Sequence, residues 1–452
     1  MKTNNNKNRV KSQDKNGEIQ GPNKIDIEFS DKNLTNYAGL KPFADLLRKL
    51  GIGKFIFKRL NVERGDNATY TAYDFVTMIL VGILVGAEHM NRVALICKDI
   101  VLQKLFDWTD SPDKSTFSRF TDLLGWKHQN QLVSIIDNFR RKVWDVRWLG
   151  KVILDLDSTV KTKYGDQEGA RTGYNPEKKG EKSVHPLLCF ISRTKEILNG
   201  WYRPGDVYTS HGVIDFTKEC FSKLPKRVWK KIVRADSGFF SGDYLDFLES
   251  KRVAYVIKVK LKNLRRILSR EELKWRKARN SDIYETVSFK YKCKGWKRAR
   301  RFVAIRTLKK VDSKGNLFTL KEYEYHCFVT NIRHWSPMKV YRFYKKRSTC
   351  ENWIDEVKNQ CAAGQFTKQS FWSSAFIFQL SILAYNLKIW LTWLTDEEAW
   401  REEFKTFRFW FIKMAAKFVR PQNYNKLKAQ NGYIFQNRWL KINKKVSNLN
   451  FY

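Results

Sequence analysis

The chain has 452 residues, 42% hydrophobic and 15% aromatic, which is room for two or three domains with a real core and excludes a disordered chain. Its 86 Lys and Arg against 46 Asp and Glu leave a net charge of +40. A surface that basic repels itself unless it meets a polyanion, and nucleic acid is the commonest such partner, ahead of a merely basic or ribosomal protein or a membrane-surface binder.

Residues 1–25 read as a disordered basic arm. Residues 1–24 hold no apolar core, so no signal peptide is expected. Residues 26–146 are helical in pattern and read as a DNA-binding domain. Within them, FVTMILVGILVGA (75–87) is too short for a bilayer of about 30 Å and reads as a buried helix. SPDKSTFSRFTDLLG (111–125) opens with capping residues. Its polar start either docks on phosphates or belongs to a solvated helix in a bundle.

From 151 the period changes. KVILDLDST, HPLLCFIS (185–192) and EILNGWYRPG (196–205) read as strands, followed by a helix near 213–222, the strand KKIVRAD (230–236), a helix around 242–251 and the strand VAYVIKVK (253–260). Strands alternating with helices imply an α/β sheet. Residues 258–325 then carry 22 Lys and Arg against 7 Asp and Glu. Alternating stretches such as ETVSFKYKCKGW and KRARRFVAIRTL suggest a β-rich, DNA-facing insertion, with a hairpin turn at KGNL (314–317). A long apolar helix follows at 371–395. The tail, 401–452, is basic, with twelve Lys and Arg against two Glu. Seven cysteines, without a C-x-x-C pair or zinc spacing with the six histidines, suit a reduced, cytoplasmic compartment.

Phosphodiester chemistry needs hard oxygen ligands on rigid elements that converge in space. Asp157 ends the first strand and Asp236 the fourth, at the sheet edge where open α/β folds build their sites. In YKKRSTCENWIDEVK (344–358), Tyr344, Arg347, Glu351 and Lys358 fall on one side of a helix at 100° per residue. Cys350, Trp353, Ile354, Val357 and Cys361 fall on another side, free to pack on the sheet. Taken singly, a strand-end Asp is usually a turn former, and Arg347–Glu351 is an ordinary i,i+4 pair. Asp155, two residues before Asp157 on the same strand face, competes for the first position.

The spacing Y-x2-R-x3-E-x6-K resembles the Y-R-E-K signature of bacterial insertion-sequence transposases with a DDE triad, the insertion sequence four superfamily. LDLDST and RADSGFF are similar to that family's two Asp strands. YGDQEGARTGYNPEKKGEKSVHPLLCF (164–190) looks like the insertion sequence thirteen-eighty group, itself distantly similar to piggyBac-type transposases. The resemblance covers roughly 30–440. It implies an α/β fold with a ribonuclease-H-like core, at 147–257 and 338–400, interrupted by the β-rich insertion 258–337. A helical N-terminal domain would precede this core, and the basic region 401–452 would follow it.

By motif matching, Asp157, Asp236 and Glu351 would be the catalytic, metal-holding triad for two Mg²⁺ ions, with Mn²⁺ as a substitute. Tyr344, Arg347 and Lys358 would grip DNA phosphates. A flipped base in relatives stacks on a Trp of the insertion, for which Trp296 and Trp335 are both candidates. The implied activity is cut-and-paste transposition, by a route with or without a hairpin on the excised end. The expected partners are double-stranded DNA, as inverted-repeat ends and target, and a second copy of the chain on paired ends. A nucleoid-associated place in a bacterial cytoplasm is expected, with no membrane and no nucleotide cofactor. A nuclease of the same fold without strand transfer, or a DNA-binding protein without chemistry, are the competing readings.

Overall fold

The computed structural model describes residues 28–176, 178–279, 281, 283–308, 323–366 and 368–451. The basic arm 1–25 and the KGNL turn lie outside these residues.

Three packed helices form the axle of the fold, two of them apolar and one amphipathic. The first, α1 (Ala72–Val85), starts at Thr71, whose side chain accepts from the Asp74 amide while Asp74 bonds back in a capping box, and stops at the left-handed Gly86. It is apolar nearly all round and therefore buried. The second helix of the set, α2 (Trp126–Val146), packs with it against the long apolar helix of Phe371–Thr395. That long helix would be long and apolar enough to cross a membrane, but it is buried along its length inside the fold.

The main sheet has nine strands: β1 (Lys151–Ser158), β2 (Leu187–Ile191), β3 (Ile197–Trp201), β4 (Lys230–Ala235), β5 (Ala254–Lys258), β6 (Arg276–Lys277), β7 (Tyr284–Tyr291), β8 (Arg300–Leu308) and β9 (Tyr323–Thr330). Its order is β6-β7-β8-β9-β5-β4-β1-β2-β3. The first three strands form an antiparallel meander, while β4 runs parallel to β1 and β5 parallel to β4. The free edge of β5 is taken by β9 in antiparallel register, Val329 against Ile257, so the basic segment continues the same sheet. At the opposite edge, the long helix supplies what a tenth strand would. Asn386 accepts from the Ile197 amide and donates to its carbonyl, both at 2.8 Å, and Gln379 donates to the Gly200 carbonyl at 2.7 Å. An edge so covered offers no unpaired ladder to another chain. Gly200 lets the helix come this close, since a Cβ there would lie 2.5 Å from Ile382.

All seven cysteines are buried and none forms a disulfide. The signature segment is α3 (Pro337–Lys345), capped by Ser336, then a turn at Lys346–Arg347, then α4 (Ser348–Asp355), then a π-turn at Glu356–Gln360. The single straight helix that 100° spacing assumes is therefore interrupted twice. The long helix, numbered next in chain order, is α5.

Candidate active site

The parallel register of β1 and β4 pairs Asp155 with Arg234 and Leu156 with Ala235. Carried one residue further, it sets Asp157 beside Asp236 at the carboxyl ends of adjacent strands. α3 and α4 cross this end and add Glu351. A cleft of about 770 Å³ holds all three carboxylates, together with Tyr344, Arg347 and Ile354.

The two aspartates on β1 have different surroundings. Asp155 is fully buried and bonds Arg234 in a two-point pair, Nε to Oδ1 and Nη2 to Oδ2, both 2.6 Å. The same guanidinium donates to the Phe343 carbonyl at 2.6 Å and to Ser192 at 3.0 Å. Asp155 and Arg234 thus clamp α3 to the sheet. Asp157 keeps 8% of its surface and opens on the cleft. Burial pushes its carboxyl up to about 6, the neighbouring Asp236 and Glu351 charges add to this, and Arg347 opposes it.

Arg347 is buried and stands between Asp157, at 2.5 Å, and Glu351, at 3.9 Å. Against the cost of burial, its charged form is held firmly by Asp157 first and also by Asp236. Its Nε is buried without an acceptor, a donor that an incoming anion's oxygen would satisfy. Tyr344 lies on Phe328, ring centroids 4.6 Å apart, and burial with the nearby carboxylates lifts its phenol to about 12.

Three hard oxygen donors on one wall suit divalent cations. Yet among the described residues no three His, Cys, Asp or Glu side chains are gathered closely enough to hold a metal. The Glu351 side chain is 69% exposed.

Lys358 does not line the cleft; it lies in the π-turn, where its carbonyl accepts from Gln365. The π-turn and the break at Lys346–Arg347 rotate it off the stripe. Cys350, Trp353, Val357 and Cys361 pack inward as expected, whereas Ile354 faces the cleft. Neither tryptophan candidate lines it. Trp296 is wedged over Gly242 and Phe240, with Arg300 on its ring, and Trp335 packs on Phe343.

The aromatic wall of the cleft is instead Tyr284, His326, Phe328, Tyr341 and Tyr344. Tyr284, Thr307 and Glu324 share one row across β7, β8 and β9, and Glu324, His326 and Phe328 follow the two-residue period along β9. Tyr341 sits one turn before Tyr344, so extending the stripe backward by three residues finds it. Beyond Asp236, the loop 202–211 is fixed by the buried Arg203, which donates to the carbonyls of His185 and His211 at 3.0 Å. His185 Nδ1 meets the Val207 carbonyl at 2.8 Å, and Thr209 meets the Ser158 hydroxyl at 3.1 Å. No motif in the sequence marks this support.

The sequence matches the family model described as Transposase DDE domain group 1 over residues 18–451. None of the curated proteins matches it. Among solved structures, it is similar to the piggyBac transposase in a synaptic complex with hairpin DNA, at 13% identity and a TM-score of 0.44, covering 81% of this chain and 78% of that one. It is also similar to the Mos1 transposase in a paired-end complex with the left transposon end, at 10% identity and a TM-score of 0.18, covering 46% of this chain and 64% of that one.

Proposed function

Because the chain belongs to the family Transposase DDE domain group 1, it is a DDE transposase, and we propose that it binds the terminal inverted repeats of a mobile DNA segment, cuts at their ends and joins them to target DNA. Within the family we place it with the Y-R-E-K insertion-sequence enzymes of the thirteen-eighty group. We read β1–β5 as a ribonuclease-H-like core; the strand order 3-2-1-4-5, with the last two parallel to the first, supports that reading. The observation that carries the proposal is the convergence of Asp157, Asp236 and Glu351 on one cleft beside an aromatic wall.

Asp157, Asp236 and Glu351 would hold divalent cations. Mg²⁺, or Mn²⁺ in its place, would as a bound pair supply activation of the attacking oxygen and charge stabilisation at the leaving one. The chain's own residues do the rest. Arg347 neutralises Asp157 and offers its buried Nε to a phosphate oxygen at the scissile bond. Tyr344 donates its hydroxyl at the same point, since a phenol held near 12 stays protonated at neutral pH. Lys258 and Lys345 on the cleft rim add positive charge along the strand's path. Lys358, from the π-turn, serves the flanking phosphates. The stacked pair His326–Tyr341, with Tyr284 beside it, offers ring faces to a base pulled out of the duplex, the role first assigned to Trp296 or Trp335. Two ends must be cut together, so the working form is a homodimer on paired ends.

The test is an assay with the DNA that flanks the coding region and a target plasmid. The proposal expects nicked ends and products joined to the plasmid, both dependent on divalent metal. Nicking without joining would make the protein a nuclease of this fold, and binding without nicking would leave it a DNA-binding protein alone.

A further inference from the structure

From Phe404 to the C-terminus the sequence has eleven Lys and Arg and no Asp or Glu. Within this stretch Ala416–Val419 and Lys426–Ala429 pair as an antiparallel ribbon. The strand Leu34–Thr35 pairs with Ala416 and Lys417, and the Phe418 amide bonds the Asn33 carbonyl at 2.8 Å, so beyond the third strand the ribbon continues as the Val419–Lys426 pair and the exposed turn 420–425.

Its two faces differ. Leu427 packs on Ala38, Met414 and Ala416, and Phe418 lies under the Lys104 ammonium at 4.1 Å. The opposite face, by strand alternation, carries Lys417, Val419, Lys426 and Lys428. Lys417 stands directly across from Lys428, a like-charge pair that weakens an isolated ladder. Asp31 answers Lys417 at 2.6 Å, whereas among the described residues Arg420, Lys426 and Lys428 make no ion pair. At the tip, Gln422 and Asn423 take left-handed backbone angles, φ 47° and 62°, which side-chain-bearing residues rarely adopt. The turn leaves Tyr424 71% exposed.

We propose that this hairpin is a duplex-DNA contact: the ribbon enters the major groove, Arg420, Lys426 and Lys428 bind phosphates on its walls, and Tyr424 meets base edges at the tip. A two-stranded ribbon is an element that the major groove admits, and phosphates supply the counter-charge that the exposed face lacks. The choice of partner rests on the transposase reading.

The test uses the full chain and a mixed-sequence duplex, with binding measured against salt. The triple variant Arg420→Gln, Lys426→Gln, Lys428→Gln should melt with the wild type, while its slope of log affinity against log salt becomes shallower by about 2 to 3. Lys428→Gln alone should lower the slope by about 1. Tyr424→Ala should weaken binding about tenfold with the slope unchanged. Wild-type slope and affinity in the triple variant, alongside normal end nicking by the unmodified protein, would overturn the hairpin contact and leave the transposase reading standing. A wild-type chain that binds no duplex would overturn both.

Discussion

In the half of the main sheet made by β1–β5, most strand residues are buried, whereas those of β7 and the outer parts of β8 and β9 are mostly half-buried or exposed. The first half is locked from three sides: by the long helix α5 on the β3 edge, by Arg234 on Asp155, and by Arg203 behind Asp236. The second half gives the cleft Tyr284, His326 and Phe328, while α3 lies across it and brings Tyr341, Tyr344 and Lys345. Asp157 and Asp236 are therefore set in the rigid half, whereas Glu351, on α4, and the rings proposed to meet DNA lie on the open side of the cleft. Substitutions in the two halves should separate stability from activity.

The largest effect on stability belongs to Asp155. Asp155→Ala strands a buried guanidinium and should cost about 3–5 kcal/mol in chemical denaturation. Asp236→Asn, at a half-exposed position, should cost less than about 1 kcal/mol. Equal costs for the two would erase the distinction between clamp and site. In the open half, Tyr284→Ala should slow end nicking about 10- to 100-fold with little change in melting. Trp296→Ala should do the reverse, costing about 2–3 kcal/mol of stability while nicking survives.

The strands and long helices were legible in the sequence because their signal is local. The run 151–158, the capped start at Thr71 and the apolar length of 371–395 are complete within a few residues of themselves. The neighbouring places of Asp157 and Asp236 were legible too, since both close strands, which pair in parallel. What stayed hidden depends on contacts between distant segments. The β9–β5 pairing joins residues about seventy apart, and Arg203 acts through carbonyls on two separate turns. The π-turn that moves Lys358 off the stripe leaves no mark in the hydrophobic period. The aromatic wall is silent in the sequence for another reason: tyrosine and histidine on alternating strand positions look like ordinary sheet surface.

The site also sets a pH dependence. Asp157 has a folded value of about 6 against 3.8 ordinarily, so the folded chain holds the extra proton between those limits. Its contribution to stability is complete below pH 3.8 and is lost as pH rises through about 6. Metal holding runs the other way. Mn²⁺ affinity should fall as pH drops through about 6, approaching tenfold per unit at the acid end, and calorimetry in buffers of different ionisation heat should show proton release. A pH-independent affinity would separate Asp157 from the metal. The smallest change should come from Lys358→Gln, which is expected to weaken DNA binding a few-fold and lower the salt slope by about 1. An unchanged slope would remove it from the DNA path.

The most direct measurement is single-turnover nicking of the element's own end duplex in Mg²⁺ by Glu351→Gln, whose side chain is exposed and whose loss spares the fold. The account predicts a rate lowered about a thousandfold or more, with duplex affinity and melting kept. Nicking at the wild-type rate would contradict it.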